Sequence, residues 1–122
     1  MKYVILMQVD PTVLEQLTEE QQKMLGEGHA AFMAATKENG EFIATQALGD
    51  PSRSKVVRDV NGRPEVTDGP FVEAKEFMGG FYLVDVESEE RAVELAKLIP
   101  DTKVKGLAIE IRPVMFSAGA DL

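Results

Sequence analysis

The chain has no cysteine, so it can form no disulfide, no thiolate nucleophile and no cysteine-ligated zinc or iron–sulfur centre. It has a single histidine, His29, which excludes any site in one chain that needs two imidazoles. Positive charge is scarce: 21 acidic residues face 13 basic ones, for a formal net charge of −8. A nucleic-acid surface needs a basic stripe, and an anionic membrane surface attracts basic segments, so neither partner is expected. Long apolar runs are absent too. The N-terminal run "KYVILM" breaks at Gln8 and Asp10. It is far shorter than the roughly 20 residues of a bilayer span, and it lacks a signal-peptide cleavage pattern. The expected location is the cytoplasm. No carboxylate spacing suggests a magnesium or calcium site, so no metal or other cofactor is expected.

What remains is an ordinary globular composition, 44% hydrophobic and 28% charged over 122 residues. That length suits one domain, which we place at residues 1–116, with 117–122 as a loose tail. Residues 2–9 put Tyr3, Ile5, Met7 and Val9 on one face and Val4 and Leu6 on the other, as in a strand covered on both sides. Thr18-Glu19-Glu20-Gln21 has the form of a capping box, opening a helix that runs to about Glu38 and stops at Asn39-Gly40. Leu25, Gly28, Phe32 and Ala35 form its inward stripe. Residues 41–48 read as a strand. "KVVRDV" and "RPEVT" flank Asn61-Gly62, a strong hairpin signal, with Pro64 confining the second arm to an edge. Residues 81–86 read as a strand, and a helix capped by Ser88 buries Ala92, Leu95, Ala96 and Ile99 before Pro100 ends it. "GLAIEIRPVMF" closes the chain as a strand with Leu107, Ile109 and Ile111 inward. The order β-α-β, hairpin, β-α-β is the split βαβ pattern: an α+β, ferredoxin-like antiparallel sheet with an inserted hairpin. Helices cover only one face of such a sheet, yet two strands are apolar on both. A second copy is the simplest cover, so a homodimer with facing sheets is expected.

The stretch "VTDGPFVEAKEFMGGFYLVDV" is the least like a plain connector. Asp68 can cap its own turn, Gly69 precedes a proline, Pro70 stiffens the loop, and Phe71 is expected to drop into the core as an anchor. Such a turn would hold the Asp68 carboxylate in a fixed direction. Glu73, Lys75 and Glu76 read as a solvated face, and Gly79-Gly80 as a bulge or a close backbone approach at the entrance of the following strand. His29 lies four residues after Leu25 and three before Phe32, at the edge of the inward stripe and facing the sheet. An imidazole there serves either as a satisfied core-rim group or as a general base. Arg58 and Arg112, on strands, serve as partners for carboxylates or as forks for an anionic ligand. Tyr3 and Tyr82 can offer a hydroxyl to a cleft.

"KYVILM", "GHAAFMAATKENG", "RDVNGRPEVTDGPFVEAKEFMGGFYLVDV" and "IEIRPV" together resemble the YCII-related family, and within it the DGPF-type branch. The resemblance covers nearly the whole chain in order and spacing. It implies a dimeric α+β barrel of ferredoxin-like subunits. In the broader family a histidine and an aspartate line a cleft, and one branch dehydrochlorinates a chlorinated aromatic. His29 matches the helix histidine; the aspartate is either Asp68, which is preferred, or Asp101 in "IPD". The expected site is therefore His29 and Asp68 as an acid–base pair, with Gly69, Pro70, Phe71, Arg58, Glu76 and Tyr82 around a small-molecule ligand. Three functions follow: a small-molecule binder with a sensory or regulatory role, a lyase- or hydrolase-type enzyme, and an interaction module without a ligand.

Overall fold

A computed structural model describes residues 1–72 and 74–119. Strands β1 (Lys2–Val9), β2 (Phe42–Ala47), β5 (Phe77–Asp85) and β6 (Ala108–Pro113) form one sheet in the order β2-β5-β1-β6, with all three pairings antiparallel. Strands β3 (Lys55–Val60) and β4 (Arg63–Asp68) form a separate two-stranded ribbon. Helices α2 (Glu19–Glu38) and α3 (Glu89–Leu98) pack on one face of the larger sheet. This is the expected α+β, ferredoxin-like arrangement with its hairpin inserted between β2 and β5. Residues 120–122 of the expected tail lie outside the described residues.

The local signals behave as their chemistry requires. Thr18 Oγ1 accepts from the Gln21 amide while the Gln21 side chain accepts from the Thr18 amide, closing the capping box. Ser88 accepts from the Arg91 amide at the start of α3. Asn61 and Gly62 both adopt positive φ, 53° and 81°, as the tight hairpin turn demands. Asp10-Pro11 does more than end β1. Asp10 accepts from the Thr12 amide and caps a short helix, α1 (Pro11–Glu15), with Pro11 in its first turn.

Tyr3 and Ile5 of β1, Tyr82 and Val84 of β5, Phe32 of α2, and Ala92, Leu95 and Ala96 of α3 form the main core. A second cluster of Val9, Val104 and Leu107 sits at the α1 end. Arg91 clamps the start of α3 to the residue before β2, with two bonds of 2.8 and 2.9 Å to the Glu41 carboxylate. That fork holds the Glu41 carboxyl below the usual carboxylate range. The opposite sheet face carries Val4 and Leu6 of β1, paired with Leu83 and Phe81 of β5, and all four stay half-exposed.

The closing strand is shorter than expected, Ala108–Pro113 in place of residues 106–116, with Met115 and Phe116 beyond it exposed. A second boundary moves the other way. β5 begins at Phe77 rather than at 81, so Gly79 and Gly80 lie inside the strand. The register jumps there, with Met7 opposite Gly80 and Gln8 opposite Met78, leaving Gly79 as the bulged residue. The glycines were legible as a bulge; that the strand continues through it was not, because the pairing comes from β1 and β2.

Candidate functional site

His29 sits midway along α2, turned toward β5. Its Nδ1 lies 2.6 Å from the Tyr82 hydroxyl and its Nε2 lies 2.7 Å from Asp101 Oδ1. A carboxylate can only accept, so Nε2 carries a proton. In the neutral imidazole the Tyr82 hydroxyl then donates to Nδ1; in the imidazolium, Nδ1–H donates to the Tyr82 oxygen. Both charge states are fully bonded. Asp101 is 5% exposed and Tyr82 2%, so the array is largely shielded from water. Burial, with the negative charge of Asp101 beside it, pushes the Tyr82 phenol up to about 12.

Local structure explains how Asp101 reaches the helix. Pro100 cannot extend α3 and instead opens a 3-10 turn, Pro100–Lys103, that buries Asp101. This turn docks on α2 at Gly28, one residue before His29. A Cβ at position 28 would lie 2.7 Å from both Cβ and Cγ of Pro100. Only glycine lets the proline ring approach the helix so closely, and that approach delivers the carboxylate to the imidazole.

The His29–Tyr82–Asp101 array forms one wall of a cavity of about 330 Å³ between α2 and the sheet. Met7, Val9, Met33, Ala47, Gly79 and Gly80 supply apolar walls, and Thr45 and Gln46 lie at the β2 side. The glycines are needed here as well. A Cβ on Gly79 would meet Val9 Cγ2 at 2.9 Å, and one on Gly80 would meet the Gln46 carbonyl oxygen at 2.7 Å. The Thr45 hydroxyl is already used, donating to the Phe81 carbonyl. A volume near the lower end of ligand pockets, with a small polar cluster at one end, suits one compact organic molecule. Among the described residues no group of three or more histidine or carboxylate side chains could hold a metal ion, and no helix is long and apolar enough to cross a membrane.

A second cavity of about 520 Å³ lies at the root of the hairpin, lined by residues that include Asp50, Arg53, Pro70 and Phe77. The Asp50 carboxylate caps the turn Pro51–Arg53 by accepting from the Ser52 amide, which holds its carboxyl below the usual range. Among the described residues no acid–base cluster comparable to that at His29 lines this space.

The structure brings His29 and Tyr82 together and supplies Asp101 as their carboxylate. It does not bring Asp68 there. Asp68 ends β4, is exposed, and pairs with Lys55 across the ribbon. The Asp68 side chain is 81% exposed and meets Lys55 on the ribbon surface, beside the point where the Gly69 amide donates to the Ser54 carbonyl and closes the hairpin. Gly69 and Pro70, joined by a cis peptide, belong to the hairpin root. Phe71 is not a core anchor: it is 69% exposed, with the Arg58 guanidinium 4.7 Å from its ring centroid. Arg58 is thereby engaged on the ribbon, far from a site role at His29. Glu76 is exposed in the segment before β5 and does not line the cavity. Met7, Met33, Thr45 and Gln46 were not anticipated as walls; their apolar or neutral character carries no chemical signature in sequence.

The YCII-related domain matches residues 1–116. A Rhizobium meliloti (strain 1021) protein named "Uncharacterized protein R00369" is 27% identical over 114 residues, 93% of this chain and 92% of that protein. With the match spanning every element of the fold, the chain belongs to the YCII-related family.

Proposed function

We propose that the protein binds a small, largely apolar molecule in the cavity beside His29, with one polar group of that molecule meeting the Asp101–His29–Tyr82 array. The observation that carries this reading is a buried carboxylate held on the sole histidine at the wall of an apolar cavity. A histidine needed only for packing would be satisfied by one nearby carbonyl. Here both ring nitrogens are engaged, by a carboxylate and a phenol, and the cavity opens beside them. The protein acts as a cytoplasmic homodimer with facing sheets, in a sensory or regulatory setting. The half-exposed Val4, Leu6, Phe81 and Leu83 support the dimer.

A second reading, a lyase- or hydrolase-type enzyme, is favoured by the same array. A proton leaving a ligand can pass to the Tyr82 oxygen as the phenolic proton moves to Nδ1. The imidazolium formed is stabilised by Asp101 through Nε2–H. His29 is then the base, Asp101 its orienting carboxylate and Tyr82 the relay.

The test is an NMR screen of small neutral ring compounds, observing the single imidazole. Hits should shift the His29 ring signals and lose binding in Ala47→Phe, which fills the cavity. Hits that bind equally well to Ala47→Phe overturn the site. Hits that are also converted, with conversion abolished in His29→Gln while binding persists, select the enzyme reading.

A further inference from the structure

The Asp101 carboxylate is only half used. Oδ1 meets His29 Nε2 at 2.7 Å, while Oδ2 has no hydrogen-bond partner among the described residues. The side chain is 7% exposed. Among the described buried residues no unpaired side-chain oxygen is cut off from open space. Oδ2 therefore borders open space, and the space that Asp101 lines is the cavity beside His29. When the Tyr82 hydroxyl donates to Nδ1, the lone pairs of its oxygen are a second acceptor on the same wall. Among the described residues no lysine or arginine lines this cavity, and His29, Tyr82 and Asp101 are its titratable groups. With a neutral imidazole the array carries one negative charge that nothing on the apolar walls offsets; with the imidazolium it carries none.

We propose that the cavity selects an organic amine, bound as its ammonium, whose N–H groups donate to Asp101 Oδ2 and to the Tyr82 oxygen. This rests on the binding reading above and deepens it by naming the charge of the polar group. Two arguments select a cation. The first is satisfaction: a shielded carboxylate with one oxygen unpaired is costly, and a charged donor meets it with a bond about twice as strong as a neutral one. The second is field: Coulomb attraction grows where water is excluded, and the net charge of −8 draws cations toward the protein. A carboxylate ligand would meet Asp101 with like charge and find no lysine or arginine on the wall. An ammonium also takes the place of the imidazolium as counter-charge to Asp101, so its binding favours the neutral ring and is coupled to loss of the His29 proton.

Three probes of one shape test the charge: cyclohexylmethylamine, cyclohexylmethanol and cyclohexanecarboxylate. The amine should bind at least about tenfold tighter than the alcohol, and the carboxylate more weakly than either. At the pH where NMR shows His29 half protonated, amine binding should release protons, read by calorimetry in two buffers of different ionisation enthalpy, and alcohol binding should leave the proton in place. Asp101→Asn should bring the amine down to the affinity of the alcohol. The proton release needs no variant, so it decides even where Asp101→Asn folds poorly. An alcohol or carboxylate that binds as tightly as the amine, and is lost in Ala47→Phe, overturns the amine while leaving the cavity standing. Amine binding that releases no proton and survives Ala47→Phe places the amine elsewhere on the acidic surface and overturns the proposal too. If none of the three probes moves the His29 ring signals, the cavity reading falls with it.

Discussion

Gly28→Ala sets two effects of opposite sign against each other. In an exposed helix interior the change stabilises, because glycine costs up to about 1 kcal/mol relative to alanine. At position 28 the new Cβ would lie 2.7 Å from two carbons of the Pro100 ring. That ring cannot rotate away, and it sits in a turn whose Ile99 and Asp101 are buried. Overpacking of this kind costs roughly 1–3 kcal/mol, so after the helix gain the net expectation is a loss of up to about 2 kcal/mol. For a chain of this size that is a fall in Tm of up to about 8 °C by calorimetry. The displaced turn carries Asp101 with it, so the His29 ring signals should also move, although residue 28 makes no contact with the imidazole in its own right. Pro100→Ala in the Gly28→Ala background should restore part of the stability, a coupling measurable by a double-mutant cycle. An increase in Tm for Gly28→Ala would mean that the helix glycine faces solvent and that the turn does not dock on it. The account of how Asp101 reaches His29 would then fail.

Phe71→Ala should cost less than about 1 kcal/mol in denaturant unfolding, the scale of an exposed cation–π contact, since Arg58 is its partner and the ring is not in the core; a loss above about 3 kcal/mol would place the ring inside. The Tyr82 phenol, pushed up to about 12 by burial and by Asp101, predicts an alkaline dependence of stability. The folded state holds this proton more tightly than the unfolded chain. The resulting stabilisation is present below the unfolded value of about 10 and is lost as pH rises toward about 12. Tyr82→Phe should flatten that decline, and an unchanged slope would show the phenol to be solvated.

The fold was legible because its signals are local or periodic. Thr18 and Gln21 close their box within one turn, and Asn61-Gly62 specifies the hairpin by its own backbone. The two-phase apolar pattern of residues 2–9 announces a central strand. Half of the site was legible for the same reason: helical phase turns His29 toward the sheet, and Tyr82 falls on the core-facing phase of β5. Its carboxylate was harder to place. Asp68 lies two residues before a proline and Asp101 directly after one, and chain chemistry alone makes Asp68, in its Asp-Gly-Pro-Phe run, look the better held. The decision belongs to tertiary packing. Asp68 is captured by Lys55 of its own ribbon, while Asp101 is buried by the docking of its turn on α2.

Three glycines connect these observations. Gly28 admits Pro100 to the helix surface, Gly80 admits the β2 backbone, and Gly79 is the extra residue of the bulge beside β1. Each missing Cβ would otherwise fall within 3 Å of a neighbour. Glycine inside a helix or strand is unfavourable taken alone, so two of them in the cavity wall and a third behind its aspartate are not explained by stability. They are explained by the geometry they allow: a carboxylate brought to an imidazole, and a sheet bent and closed tightly beside it. The stretch from Asp68 to Gly80 therefore divides. Its first half finishes the exposed ribbon. Its second half, the glycine pair, shapes the cavity that Asp68 does not reach.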